Sequence, residues 1–392
     1  MSSLNRPKVL FIDQSGKPGG AELCLLDVAL PYRDCCLVGL LAEGSFRLLL
    51  EQHKIPVEVF TTQAIQIRKE SNFLQGLSSF SQLLPLIAKI SRLSSQFDLI
   101  YANTQKALVV GAIASLLSRK PLVYHLHDIL SADHFSPANQ RIIVTLANRL
   151  ASLVITNSNA TQAAFIAAGG NPQLTEVVYN GFEPEIYKAA QAGRSDLRQQ
   201  LGLENCFVVG HFSRLSPWKA QHILIDALKS CPKDVVAVLV GDALFGEQAY
   251  VAQLHQQVKQ SGLEDRVRFL GFRSDVPQLM AACDLVVHTS TAPEPFGRVI
   301  VEAMLSGTPI AAAAAGGAME LVKHGKTGWL VAPGDASKLA QLINDCCQHT
   351  EERAVIAQAA QHEASQQFHI NKIRQQIDRL LQQTAAINGA RG

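Results

Sequence analysis

The sequence predicts an α/β protein made of two parallel, helix-covered sheets in succession. Short β-branched or apolar runs alternate with helix-length amphipathic stretches almost throughout, which is the pattern of parallel sheets flanked by helices. The rhythm breaks once, past residue 180, and then restarts. The length agrees: 392 residues, at roughly 150 per domain, suggest two or three domains, most simply two of similar size.

In the first half the strands fall at KVLFI (8–12), CCLVGLL (35–41), VEVF (57–60), DLIY (98–101), LVYHL (122–126), LVIT (153–156) and TEVVY (175–179). The second half repeats the rhythm with CFVVGHF (206–212), VVAVLVG (235–241), VRFLG (267–271), DLVVHT (284–289), PIAAAA (309–314) and WLVA (329–332). Between them, GFEPEIYKAAQAGRSDLRQQLGLEN has no strand and mixes Gly, Pro and charge. A linker is therefore expected near Tyr187 to Asp196, dividing a first domain of 1–188 from a second of 189–370. Beyond His349 the chain is polar, helical and rich in Gln and Ala. Residues 371–392 are expected to form a closing helix that packs back on the first domain.

Composition excludes several classes. With 35 basic and 33 acidic residues the net charge is only +2, so a nucleic-acid binder driven by bulk charge is not expected. Apolar residues at 47% describe a well-buried chain, not a disordered or fibrous one. The longest apolar candidate, Ala107 to Leu117, is too short to cross a bilayer and contains Gly111 and Ser115. The opening MSSLNRPKVLFIDQ lacks the pattern of a secretory signal, so a cytoplasmic location is expected. Eight cysteines stand without C-x-x-C or a zinc-like Cys/His spacing and read as small buried hydrophobes in a reducing compartment. The stretch Ile65 to Leu93 carries Arg68, Lys69, Lys89 and Arg92 beside many apolar residues. It reads either as a peripheral contact with the inner face of a membrane or as a core-facing helix through Leu83, Leu84, Ile87 and Ile90.

Ligands of doubly wound sheets bind beyond the carboxyl ends of strands, so the strand-to-helix junctions hold the candidate residues. In FIDQSGKPGGAELCLLDVAL, Gly16, Gly19 and Gly20 precede a helix and read as a close approach to phosphate or as a flexible turn. In LVYHLHDIL, His125 and His127 share a strand face and Asp128 follows, as functional groups or as satisfied core histidines. Zinc is discounted there for want of a third ligand. In HFSRLSPWKAQHILIDALK, Arg214 and Lys219 flank a turn where two cations could grip a diphosphate, or stand as solvated surface charges. Asn180-Gly181 reads as a turn.

The longest unusual stretch is TSTAPEPFGRVIVEAMLSGTPIAAAAAGGAMELVKHGKTGWLVAPGD. Glu294 precedes a helix opened by Phe296, Gly297 and Arg298, and Glu302 follows eight positions after it. The helix start offers amides to phosphate oxygens, and carboxylates suit the hydroxyls of a sugar or ribose. A glutamate among Val299, Ile300, Val301, Ala303, Met304 and Leu305 needs a partner, which a ligand hydroxyl would supply.

Glu294-Pro295-Phe296-Gly297, Glu302-Ala303-Met304, Gly307-Thr308-Pro309, Gly316-Gly317, Glu320 and Gly325-Lys326-Thr327-Gly328 together resemble the signature of the retaining glycosyltransferases of family 4. Gly19-Gly20, His127-Asp128, Asn180-Gly181 and Ser213-Arg214 are consistent with it. The resemblance implies the GT-B architecture: two Rossmann-like domains facing each other across a deep cleft, with a C-terminal helix returning to the first. The first domain would hold the acceptor and the second the nucleotide-sugar donor.

By this resemblance Arg214 and Lys219 bind the donor diphosphate, Glu294 the sugar hydroxyls, the amides of Phe296, Gly297, Arg298 and Val299 sugar or phosphate, and Glu302 the ribose. Gly19 and Gly20 would approach the phosphate from the first domain, and His127 would face the reacting centre. The catalytic set expected is His127, Glu294, Arg214 and Lys219. Ala220 stands where the family commonly has Gly, and the segment between Val57 and Leu99 matches poorly, in the region that varies with acceptor.

The implied activity transfers a sugar from a nucleoside diphosphate sugar to a hydroxyl of a glycan, lipid-linked or small-molecule acceptor, with retention. No metal and no cofactor beyond the donor substrate is expected: fixed cations and helix amides would stabilise the leaving diphosphate, and no Asp-x-Asp motif is present. Transfer on one face is favoured over a double displacement through Glu294. The rivals are a nucleotide-sugar epimerase, a sugar phosphorylase and a non-catalytic nucleotide-sugar-binding protein.

Overall fold

The computed structural model describes residues 6–61, 85–132, 135–243 and 246–389. Contacts divide the chain into two units, Met1–Gly181 with Ile370–Gly392, and Phe182–His369.

The first unit holds a parallel sheet of β1 (Val9–Asp13), β2 (Cys36–Leu40), β3 (Val57–Val59), β4 (Leu99–Ala102), β5 (Leu122–Leu126), β6 (Ala151–Thr156) and β7 (Thr175–Val177), in the order β3-β2-β1-β4-β5-β6-β7. Each strand coincides with a predicted run. β1 is enclosed on both faces because its side chains alternate between two cores. Val9 and Phe11 pack with Leu25, Tyr32 and Val38, while Leu10 and Ile12 pack with Leu108, Tyr124 and Phe165.

The chain's last helix, Ile370–Gly389, belongs to this unit. Its Ile373, Ile377, Leu380 and Leu381 recur at helical spacing and enter the same core as Val9 and Phe11. The Tyr32 hydroxyl donates to Asp378 at 2.7 Å. Gly181 is required here by packing: a Cβ would lie 2.5 Å from the Ile370 side chain.

The second unit holds β8 (Phe207–Phe212), β9 (Val235–Val240), β10 (Val267–Gly271), β11 (Leu285–His288), β12 (Ile310–Ala313) and β13 (Trp329–Val331), all parallel, in the order β10-β9-β8-β11-β12-β13. In each sheet the first strand pairs on both sides, β1 with β2 and β4, β8 with β9 and β11. The winding reverses there, so a crevice opens at the carboxyl end of β1 and another at that of β8.

The expected linker at Tyr187 to Asp196, with its boundary at 188/189, differs from what is observed. The division falls between Gly181 and Phe182, and the segment beyond it forms helices, Pro184–Ala190 and Arg194–Gln200, anchored on the second unit. Tyr187 and Ala190 are buried. Arg194 and Arg198, one helical turn apart, both reach Asp284, at 2.5 and 2.9 Å. Absence of a strand pattern was therefore not absence of packing.

Among the described residues no helix is long and apolar enough to cross a membrane. Most of the basic and apolar stretch Ile65 to Leu93 lies outside the described residues. In its described part, Leu86, Ile87 and Ile90 are buried and join the core of the first unit. Cys24, Cys36, Cys231, Cys283 and Cys346 are buried, Cys35, Cys206 and Cys347 half-buried, and none is in a disulfide.

Candidate active site

In the second unit, residues from the carboxyl ends of β8 and β11 converge. Lys219 ends a 3-10 turn, Pro217–Lys219, after β8, and Glu294 lies in the loop after β11. Lys219 Nζ donates to Glu294 Oε2 at 2.6 Å. His288 Nε2 lies 3.0 Å from the same oxygen and Ser290 Oγ 3.3 Å. Among the described residues these hydrogen bonds all fall on Oε2, not on Oε1. Burial alone would raise the Glu294 carboxyl, but the Lys219 ammonium and His288 reverse this and hold it well below the usual carboxylate range.

The loops are fixed from behind. The Thr289 hydroxyl lies 2.9 Å from each of the Lys219 and Ala220 carbonyl oxygens and 2.9 Å from His211 Nε2. Burial, then His288 and Lys219, lower His211 to about 3, so it is neutral here. Ala220 is buried with φ +55 and ψ +47, the left-handed region where glycine is the usual choice. The difference from the family's common Gly thus falls on a residue whose backbone favours Gly. Gly316 packs against Glu294: a Cβ would meet its carbonyl oxygen at 2.3 Å, and Gly317 N donates to that oxygen at 2.7 Å.

Other predicted residues of this unit have further partners, and Gly297 packs beside Glu294, whose Cγ a Cβ there would meet at 3.4 Å. Arg214 Nε stands 3.8 Å from Glu247. Glu302 has partners within the protein, Arg298 at 3.6 Å and the Tyr187 hydroxyl, so a ligand is not needed to satisfy it. Its carboxyl is still raised, by burial against the effect of both partners. Phe296 is buried and stacks on Phe182, centroids 6.4 Å apart. Gly297, at φ +97, precedes the helix Arg298–Leu305, where no side chain caps the first turn. The amides of Arg298 and Val299 therefore open an anion-favouring helix end.

In the first unit the carboxyl ends of β1, β4 and β5 bring together Asp13, Asn103 and His127. His127 Nε2 lies 2.9 Å from Asn103 Oδ1. The Asn103 amide donates to Asp13 Oδ2 at 2.7 Å and to the Ala21 carbonyl at 3.1 Å. Burial raises Asp13 to about 6, against the lowering effect of Asn103. Burial and the Asp13 charge raise Glu22 to about 7.

Gly19 caps the helix Gly20–Ala29, and its amide donates to Glu22 Oε2 at 2.8 Å; the carboxylate of Glu22 thus occupies the helix start assigned to phosphate. Gly16 answers a backbone contact, since a Cβ would lie 2.0 Å from the Glu43 carbonyl. Asp128 is exposed and accepts from Gln105.

His125 is buried, accepts or donates at Nδ1 with the Tyr101 hydroxyl at 2.6 Å, and is lowered by burial, then by His127. Its ring centroid lies 3.9 Å from that of His127. The spacing did not reveal Cys24, whose sulfur lies within 4.8 Å of a ring nitrogen of each of these two imidazoles. Sequence reasoning also missed Asp13, Asn103, Glu22, His211, His288 and Ser290. A polar residue closing an apolar strand, as Asp13 does in VLFID or His288 in LVVH, is the available signal.

The chain matches the glycosyl transferases group 1 family over residues 193–363 and glycosyltransferase family 4 over residues 37–186. It is similar to the crystal structure of Anabaena Alr3699/HepE in complex with UDP and glucose, with TM-score 0.90 and 64% identity over 96% of this chain and 99% of that one. The same protein in complex with UDP-glucose gives TM-score 0.90 and 63% identity, covering 96% and 100%. Spore coat protein SA of Bacillus subtilis (strain 168) is 28% identical over 301 residues, 72% of this chain and 78% of that protein. The D-inositol 3-phosphate glycosyltransferase of Salinispora arenicola (strain CNS-205) is 30% identical over 305 residues, 71% and 67%. The chain spans 57% of the length of the similarly named protein of Mycobacterium marinum (strain ATCC BAA-535 / M).

Proposed function

This chain belongs to the family 4 glycosyltransferases and has their GT-B fold, and we propose that it transfers glucose from UDP-glucose to an acceptor hydroxyl with retention of anomeric configuration and without a metal. The donor is suggested by the 63% identical neighbour, whose complex holds UDP-glucose. The observation that carries the reading is the Lys219–Glu294 pair at 2.6 Å, placed at the crevice of the second unit's sheet.

Departure of UDP builds negative charge on the diphosphate oxygens. Lys219 is already held in place by Glu294, and the uncapped start of Arg298–Leu305 adds fixed amide dipoles, so stabilising that charge needs little reorganisation. Arg214 would join them on the diphosphate. Fixed cations of this kind do the work that a divalent ion does elsewhere, which supports metal independence.

Glu294 would bind sugar hydroxyls through Oε1 while Lys219, His288 and Ser290 occupy Oε2. Its depressed basicity makes it a poor nucleophile, which favours a same-face transfer in which the leaving phosphate helps to deprotonate the acceptor. His127, with Nε2 directed by Asn103, would orient or polarise donor and acceptor. Glu302 would bind the ribose by exchanging a protein partner for its hydroxyls.

The test is slow hydrolysis of UDP-glucose, and transfer to an added acceptor, with and without chelator, with the anomeric configuration of the product read by NMR. Retained configuration and chelator-insensitive turnover are expected. An inverted product, or activity abolished by chelator and restored by a divalent ion, would overturn the reading. Free UDP-sugar converted to an epimer without acceptor would instead favour an epimerase.

A further inference from the structure

We propose that Cys24, His125 and His127 form a binding site for a borderline divalent cation of the Zn2+ class, and that filling it arrests sugar transfer. The second half of this proposal rests on the role given to His127 above; the first half does not.

One ligand atom from each residue lies within 4.8 Å of the other two. Their placement follows from the fold. His125 and His127 alternate with Leu126 at the end of β5 and so share a face, and Cys24 lies on the buried side of the helix Gly20–Ala29. Cys24 and His125 are 4% and 1% exposed. His127 is half-buried and marks the side from which an ion would enter.

The hydrogen bonds constrain which ring nitrogens could serve as ligands. Tyr101 occupies Nδ1 of His125, and the remaining Nε2 is buried with no hydrogen-bond partner. A polar atom enclosed in this way is costly, and a metal bond would satisfy it. For His127 the assignment comes from Asn103. Its amide nitrogen faces two acceptors, Asp13 Oδ2 and the Ala21 carbonyl, so the atom facing His127 is an acceptor and His127 Nε2 carries the proton. Nδ1 then holds the lone pair.

Two imidazoles and a thiolate suit zinc and its neighbours in the transition series, not the oxygen-seeking calcium or magnesium. Three protein ligands leave a fourth position for water. Tyr101 behind His125 and the Asn103–Asp13 pair behind His127 are the outer partners that such ligands normally require. On binding, the Cys24 thiol loses its proton to solvent and the sulfur becomes the anionic ligand. An ion on Nδ1 would lock the His127 ring and add positive charge where the proposed reaction uses its imidazole.

The test uses the full-length, metal-stripped protein titrated with Co2+. Stoichiometric binding is expected, with a thiolate-to-cobalt charge-transfer band and tetrahedral d–d absorption, both displaced by Zn2+. In Cys24→Ala the charge-transfer band should vanish, and affinity should fall by more than the roughly 10–100-fold that loss of an outer partner causes. Metal-free melting of Cys24→Ala alongside the parent establishes that the variant is folded, and His127→Ala serves as the second variant. No cobalt binding by the parent, or an unchanged band in Cys24→Ala, overturns the site. Zn2+ should inhibit transfer by the parent at least about 10-fold more strongly than transfer by Cys24→Ala, each against its own metal-free rate. Cobalt bound through Cys24 with transfer unaffected overturns the placement of His127 at the reacting centre. Failure of transfer in metal-free parent would count against the proposed function and leaves the cobalt titration readable.

Discussion

The Lys219 ammonium meets the Glu294 carboxylate at 2.6 Å, with only 14% and 12% of the two side chains exposed. Removing one partner leaves the other charged in a nearly dry site. Lys219→Met is therefore expected to lower stability by about 3 kcal/mol and transfer by about 100-fold or more, the usual loss for one preorganised stabiliser of developing charge. Lys219→Met combined with Glu294→Gln should recover much of the stability and none of the transfer. Denaturant midpoints and initial rates for both singles and the double check this. A double variant no more stable than Lys219→Met would show that the pair is not coupled.

His211 supplies a pH signature. Its imidazole is held down to about 3 by burial, His288 and Lys219, whereas in an unfolded chain it takes up a proton below about pH 6.5. Because the folded value is depressed, its contribution is fully present above about pH 6.5. It is lost as the pH falls from there toward 3, at up to about 1.4 kcal/mol per pH unit. Glu294, also depressed, acts in the same direction at lower pH. Denaturant unfolding between about pH 4 and 7 should show a shallower loss in His211→Gln than in the parent. Parallel slopes would refute it.

Ala220 turns a departure from the family pattern into a measurable cost. At φ +55 an L-residue is strained by about 1–2 kcal/mol, and Thr289 pins the turn through the Lys219 and Ala220 carbonyls. Ala220→Gly relieves the strain but restores about 0.4–1 kcal/mol of unfolded-state entropy. The expected net is a gain of up to about 1.6 kcal/mol with transfer retained, read as a rise in melting temperature. A loss larger than about 1 kcal/mol would mean that packing of the buried methyl outweighs the backbone strain.

The fold was legible because apolar strand runs are local: every strand from Val9–Asp13 to Trp329–Val331 lies where a β-branched or apolar run stands in the sequence. Lys219 and Glu294 were legible as members of motifs, though 75 positions separate them, and their contact is a property of the sheet that brings β8 beside β11. His288, Ser290 and Asn103 were not legible, since each looks like an ordinary polar residue until its partner is in place. Cys24 escaped for the same reason: it stands about a hundred positions from His125, and no spacing rule spans that gap. Two glycines of the unusual junctions have packing reasons of their own: a Cβ on Gly16 would meet Glu43 and one on Gly181 would meet Ile370.

Asp284 explains why the segment after Gly181 is not a free tether, and it yields the last test. Its carboxylate collects Arg194 at 2.5 Å, Arg198 at 2.9 Å and the Val208 amide at 2.8 Å, tying the helix Arg194–Gln200 to β8 and the entry of β11. Arg198 and Asp284 are only 12% and 13% exposed. Asp284→Asn keeps the shape but removes the charge that both guanidinium groups share, leaving them their carbonyl acceptors, so a loss of about 2 kcal/mol is expected. The cluster around Glu294 should be spared, because His288 stands four residues along the strand, about 13 Å away at the usual rise. UDP-glucose should therefore raise the melting temperature of Asp284→Asn by as much as it raises that of the parent, from a lower starting point. A variant that melts with the parent would return the segment to the status of a linker, and one that loses the donor response would place the Asp284 network within the donor site.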